Sequence, residues 1–146
     1  MIEHSKEELI TRQLDDLETY VAPDGSIIRE MPEFPAGGLS HCTVPEDMVS
    51  KAVKHRTIEE IWYCISGYGE FWRAFDYKEP VVIDIKPGTS LNIPCGAMFQ
   101  FGNNGKWDNK EKKRISKEPL VFIIATIPQW PGDQEAVPVK GYWATS

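Results

Sequence analysis

The sequence predicts an all-β chain folded as a sandwich or barrel, and three observations predict it. Apolar residues recur with period two, or in short apolar runs, over ten segments. Clusters of turn-forming residues separate these segments at close, regular spacing. Only one short N-terminal stretch carries a helical signal.

That stretch comes first. Ser5-Lys6-Glu7-Glu8 has the form of a capping box, with Ser5 at the N-cap and Glu8 three residues on. It predicts a short helix over 6–13, acidic and too short to persist unless it docks on the body. The strands are expected at 18–22, 26–31, 38–44, 48–54, 59–65, 69–75, 80–85, 89–93, 97–102 and 119–127. The turns between them fall at Pro23-Asp24-Gly25, Pro35-Ala36-Gly37-Gly38, Pro45-Glu46-Asp47, Ser66-Gly67, Pro87-Gly88 and Pro94-Cys95-Gly96.

Two segments depart from this pattern. Residues 104–118 are polar, and 106–117 hold six bases against two acids. They read as a solvated loop or as an anion-attracting lid that carries Trp107. Residues 129–146 form a Pro-rich arm with Trp130 and Trp143, aromatics that call for cover from the body or from a second subunit.

Composition narrows the function classes. A chain of 146 residues is expected to form one domain: a helical segment over 1–16, a barrel over about 17–128, and an arm over 129–146. The net charge is −6 and the pI near 5.1, which argues against nucleic acid as a partner. All of that excess lies in residues 1–35, with nine acids and three bases. Three Cys, at 42, 64 and 95, without C-x-x-C spacing suit neither a disulfide framework nor a zinc knuckle. No apolar run reaches 18 residues and the N-terminus has no apolar core. The expectation is a cytoplasmic protein with no membrane contact.

Residues 53–67 and 88–103 resemble the two motifs of the cupin family. The second motif, G-x5-P-x-G-x2-H-x3-N, is matched by Gly88, Pro94, Gly96 and Asn103, with Phe99 at the His position. The first ends in E-x6-G, matched by Glu60 and Gly67. Counting back with the longer spacing puts its two His positions at Val53 and His55; the shorter spacing puts them at Lys54 and Arg56. The motif's leading Gly is absent. The resemblance covers roughly residues 36–128. It implies a double-stranded β-helix, or jelly-roll barrel, and a likeness to homodimeric proteins. It also implies a metal site at the barrel centre, of which two ligands in four, His55 and Glu60, survive on the longer spacing.

Strand alternation then sorts the side chains. If Glu60 points inward, so do Trp62 and Cys64; Phe99 and Phe101 share the inner face of their strand, with Met98 and Gln100 opposite. On strand 38–44, either Ser40 and Cys42 or Leu39 and His41 face inward. Glu60 and His55 are the candidate acid–base pair, and also the metal ligands if Fe, Mn, Ni or Zn binds. A carboxylate inside an apolar run needs a partner or a raised pKa. Trp62, Cys64, Arg73, Phe99, Phe101, His41 and Gln100 are the candidate ligand contacts, and His41, Cys42, Cys64 and Gln100 are the candidates for a third metal ligand. Phe99 has no lone pair to donate, so the motif itself supplies no complete metal site.

Three functions fit. The first is a barrel that binds a small, partly apolar organic molecule and carries out isomerase, cyclase or lyase chemistry through Glu60 and His55. The second is a metal-dependent dioxygenase or sugar isomerase with a non-standard third ligand. The third is a non-catalytic sensing or assembly module with a solid core.

Overall fold

The computed structural model describes residues 9–115 and 117–145. Ser5 to Glu8, and with them the capping box, lie outside the described residues. Residues 9–13 carry no helix, Gln13 is extended, and the first helical geometry is a single 3-10 turn at Leu14–Asp16.

Thirteen antiparallel strands follow among the described residues: β1 (Tyr20–Val21), β2 (Ile27–Phe34), β3 (Gly37–Val44), β4 (Val53–His55), β5 (Glu59–Ser66), β6 (Gly69–Ala74), β7 (Val81–Ile85), β8 (Ser90–Ile93), β9 (Met98–Gly102), β10 (Lys106–Asp108), β11 (Lys113–Ile115), β12 (Leu120–Ile127) and β13 (Ala136–Pro138). They form a six-stranded sheet in the order β1-β2-β3-β12-β5-β8 and a five-stranded sheet in the order β13-β4-β9-β6-β7. The chain crosses repeatedly between the two, as a double-stranded β-helix does. β10 and β11 make a separate hairpin.

The predicted strands are present with edges shifted by a few residues, except at 48–54. There only Val53 and Lys54 join a strand, and Val49 makes an isolated bridge to Gly102. β10, β11 and β13 were not predicted. β13 lacks alternation of its own and exists because its backbone pairs with β4, Ala136 opposite His55.

The motif glycines and prolines have backbone reasons to be where they are. Gly67 has φ +86°, and a Cβ there would stand 2.5 Å from the Pro119 carbonyl oxygen. Gly96, at φ +84°, closes the turn in which the Ala97 N–H donates to the Pro94 oxygen at 3.1 Å. These positions shape the barrel whether or not a metal is bound.

Between the sheets lies an aromatic core. The Trp62 ring centroid stands 5.0 Å from Phe122, 5.1 Å from Phe101 and 5.3 Å from Phe71. Such pairs add roughly 0.5–1.5 kcal/mol each beyond the area they bury. A second, smaller cluster of Ala52, Trp72, Ala74 and Met98 lies outside the five-stranded sheet, covered by Val139 and Trp143 of the arm. This cover explains why all five residues of β9 are buried. Gln100 holds it in place: its Nε2 donates to the Ser50 and Trp143 carbonyl oxygens, at 2.9 and 3.0 Å, and its Oε1 accepts from the Tyr142 and Trp143 N–H groups, both at 2.9 Å.

The basic segment is a hairpin at the end of the barrel away from Glu60. Arg114 pairs with Glu70 at 3.1 Å and with Asp84 at 3.5 Å, and Lys117 pairs with Asp47 at 2.7 Å. Neither Trp107 nor any base of this segment lines the cavity described below, so the lid reading does not hold. No helix among the described residues is long and apolar enough to cross a membrane.

Candidate functional site

The inner face of β5 carries Glu60, Trp62 and Cys64, all buried, while Ile61, Tyr63 and Ile65 face out. β12 lies beside it, with Thr126 opposite Glu60 and Ile124 opposite Trp62. β4 brings in His55 and β9 brings in Phe99, paired with Val53. Together they line a cavity of about 70 Å³ at one end of the barrel. Trp130 of the arm lies over it, its ring 5.7 Å from His55, and Phe99 flanks His55 at 5.1 Å.

Glu60 is held but not saturated. Its Oε2 accepts from the Thr126 hydroxyl at 2.7 Å, and its Oε1 accepts a longer bond from the Trp62 indole N–H at 3.2 Å. Burial pushes the carboxyl up to about 7; the two hydrogen bonds pull the other way without overcoming it. The His55 Nδ1 stands 3.7 Å from Glu60 Oε1, too far for a hydrogen bond, and is buried without a partner. Burial pushes this imidazole down to about 4, against an opposing pull from the Glu135 carboxylate. Burial therefore disfavours the charged form of both groups, and the facing oxygen and nitrogen keep room for a further bond to a guest.

Glu135 shows the opposite outcome for a buried carboxylate. Burial raises its pKa, but the Thr57 and Ile58 N–H groups and the Thr57 hydroxyl outweigh that and hold it below the ordinary value. It locks the start of β13 to the β4–β5 loop.

Not every predicted contact gathers here. Trp62, Phe99, His55 and Glu60 do. Cys64 and Phe101 lie deeper, in the aromatic core; the Cys64 thiol, pushed up to about 11 by burial, bonds to the Ser66 oxygen at 3.4 Å. Arg73 lies in a separate open groove, where its Nη1 donates to the Asn92 backbone oxygen at 2.9 Å and so ties β6 to β8. Gln100 is on the outer face under the arm. The open register of β3 resolves to Ser40 and Cys42 inward, which leaves His41 on the outer face between Arg29 and Ile123 in register.

Sequence reasoning missed Asp24, Thr126, Trp130, Tyr20 and two glutamates, Glu30 and Glu33, at the cavity. Asp24 is buried, and its Oδ1 accepts from the Ser26 N–H at 2.9 Å and the Ser26 hydroxyl at 2.7 Å; burial raises its pKa.

A metal of the kind the motif implies does not fit these residues. Phe99 puts a ring where the third imidazole would be, and His41 and Gln100 face away, which leaves His55 and Glu60 without a third donor. Among the described residues no three His, Cys, Asp or Glu side chains converge as metal ligands.

Solved structures share this architecture. The Streptomyces nucleoside dehydratase Pac13, seen with uridine, superposes with a TM-score of 0.65 at 10% identity, over 91% of this chain and 92% of that one. A Klebsiella pneumoniae conserved protein with a double-stranded β-helix domain gives 0.63 at 18% identity, over 92% and 100%. Bacillus subtilis oxalate decarboxylase gives 0.68 at 13% identity, over 94% of this chain but 34% of that one. At these identities the likeness is one of fold alone. No protein-family model matches the chain. In sequence it is similar to the uncharacterized protein MJ1618 of Methanocaldococcus jannaschii, 32% identical over 102 residues, 66% of this chain and 78% of the relative. The chain thus has the double-stranded β-helix fold of the cupins, and it belongs to the same family as MJ1618.

Proposed function

We propose that the chain binds a small, partly apolar organic molecule in the cavity and acts on it by acid–base chemistry. The observation that carries this reading is Glu60, a carboxyl pushed up to about 7 and facing an unpartnered His55 Nδ1 across 3.7 Å. A group with a pKa near the working pH can both take and return a proton. The available oxygen is Oε1, since Oε2 holds the stronger bond, from Thr126.

Two balanced reactions suit this oxygen. In an isomerisation, Oε1 removes a proton from one substrate carbon and returns it to another atom. In a dehydration, Oε1 takes a proton from carbon, then delivers one to the departing hydroxyl, which leaves as water. His55 hydrogen-bonds the substrate and holds it in register with Oε1. Trp62, Phe99 and Trp130 exclude water, which keeps the proton local. That a dehydratase uses the same fold is compatible with the second reaction, although it does not select it.

The test is a ligand screen by thermal stabilisation, covering sugars, nucleosides, alcohols, amines and organic acids, with each hit then followed by NMR for conversion. The expected result is a hit that the wild type converts and Glu60→Gln binds without converting. Conversion undiminished in Glu60→Gln contradicts the assignment.

A further inference from the structure

The charges around the cavity are one-sided. Asp24, Glu60, Glu30 and Glu33 line it, and among the described residues no Lys or Arg does. Arg12, outside the cavity, is directed to the backbone oxygens of Glu30 and Met31, at 3.4 and 3.5 Å. Two of the four carboxyls, Asp24 and Glu60, are buried inside, and the other two stand exposed at the rim. An anion entering here passes the exposed rim carboxylates, meets two further carboxyls inside, and finds no compensating base. Among the described residues the Lys and Arg that form ion pairs, Arg114 and Lys117, belong to the far end of the barrel.

A second observation points to what does enter. His55 Nδ1 is buried without a hydrogen-bond partner; its residue is 4% exposed and lines the cavity. It stands close enough to Glu60 Oε1 for two N–H groups of one guest to reach both. Around this pair of atoms lie the rings of Trp62, Phe99 and Trp130, surfaces that attract positive charge.

We propose that the cavity selects a small organic cation. Its ammonium group is shared between Glu60 Oε1 and His55 Nδ1, and its hydrocarbon part packs against Trp62, Phe99 and Trp130. This names a ligand class for the acid–base reading above and rests on that reading only in taking the same cavity as the site.

Three probes of nearly equal size separate the charges: ethanolamine, ethylene glycol and glycolate. Each is titrated into the full, tag-free chain at fixed ionic strength and followed by ligand-observed NMR. Ethanolamine is expected to bind at least about tenfold more tightly than ethylene glycol, with glycolate weakest. Glu60→Gln is expected to lower the ethanolamine affinity about tenfold, and the rim pair Glu30→Gln with Glu33→Gln to lower it about two- to threefold while the fold is kept. Glycolate or ethylene glycol binding as tightly as ethanolamine overturns the cation preference; if Glu60→Gln abolishes that binding, the acid–base site itself stands. Absence of ethanolamine binding, or ethanolamine binding indifferent to Glu60→Gln, overturns the proposal.

Discussion

Two buried polar residues on facing sheets, Gln100 and Glu60, met opposite fates. The Gln100 amide is fully used, donating to two carbonyl oxygens and accepting from two backbone N–H groups of the arm. The Glu60 carboxyl is also buried, yet it keeps one weakly held oxygen facing an empty-handed imidazole. A buried polar group whose bonds are complete fastens two parts of the fold. One whose bonds are incomplete holds a cost in stability that a guest molecule can relieve. In this barrel the fastening lies outside the five-stranded sheet and the incomplete pair lies inside.

The largest expected effect comes from breaking the fastening. Gln100→Ala leaves four backbone groups without their partner and should cost about 3–4 kcal/mol, read as a lower urea midpoint. A loss under about 1 kcal/mol would mean that the arm is held by Trp72 and Trp143 packing alone.

Glu60→Gln should act in the opposite direction. The folded pKa of about 7 lies above the ordinary 4.5. Between those values the folded chain keeps a proton that the unfolded chain has released. The Glu60 contribution is therefore full below the lower value and is lost as pH rises through the upper one. A shift of that size is worth about 3 kcal/mol. Above neutrality, with somewhat weaker bonds to Thr126 and Trp62 deducted, Glu60→Gln should be about 2 kcal/mol more stable than wild type. Below pH about 4.5 the two should converge. Thermal unfolding across pH checks both limbs.

His55 runs the other way. Its folded pKa of about 4 lies below the ordinary 6.5, so the unfolded chain protonates first as pH falls. Its contribution is full above the higher value and is lost toward the lower one. The stability of His55→Gln relative to wild type should rise by about 2 kcal/mol from about pH 8 to about pH 5. The two slopes oppose each other over the range they share, so wild type should look flatter with pH there than either variant.

The smallest expected effect concerns metal. Because the donors do not converge, Fe, Mn, Ni or Zn added to tag-free protein should leave the melting temperature unchanged within about 1 °C. Elemental mass spectrometry should then find far less than one metal per chain. A stoichiometric metal, lost in His55→Ala, would contradict the geometric argument.

What could be read from the residues follows the same division. Turn glycines and prolines are local chemistry, so Gly67, Gly88, Pro94 and Gly96 announced the barrel even with its ligand set incomplete. Glu60 was legible because a carboxylate in an apolar strand is costly wherever that strand goes, and alternation then placed Trp62 beside it. Phe99 was legible as the position where the motif loses its third imidazole. Asp24 was not: in Pro23-Asp24-Gly25 it reads as an ordinary turn residue, and only the docking of neighbouring chain buries it. The same holds for Trp130, brought over the cavity by a segment without strand alternation, and for Gln100, whose outward side of β9 becomes interior only when the arm closes on it. Burial conferred by distant segments leaves no local trace in the residues it covers.

The central claim is that Glu60 titrates near neutrality inside the barrel. Its carboxyl carbon, labelled with carbon-13 and assigned by comparison with Glu60→Gln, can be followed by NMR from acid to mild alkali. A midpoint near 7 is predicted, on a carboxyl shielded from solvent. A midpoint at the ordinary value near 4.5 would show a solvated, conventional carboxylate and would contradict the account.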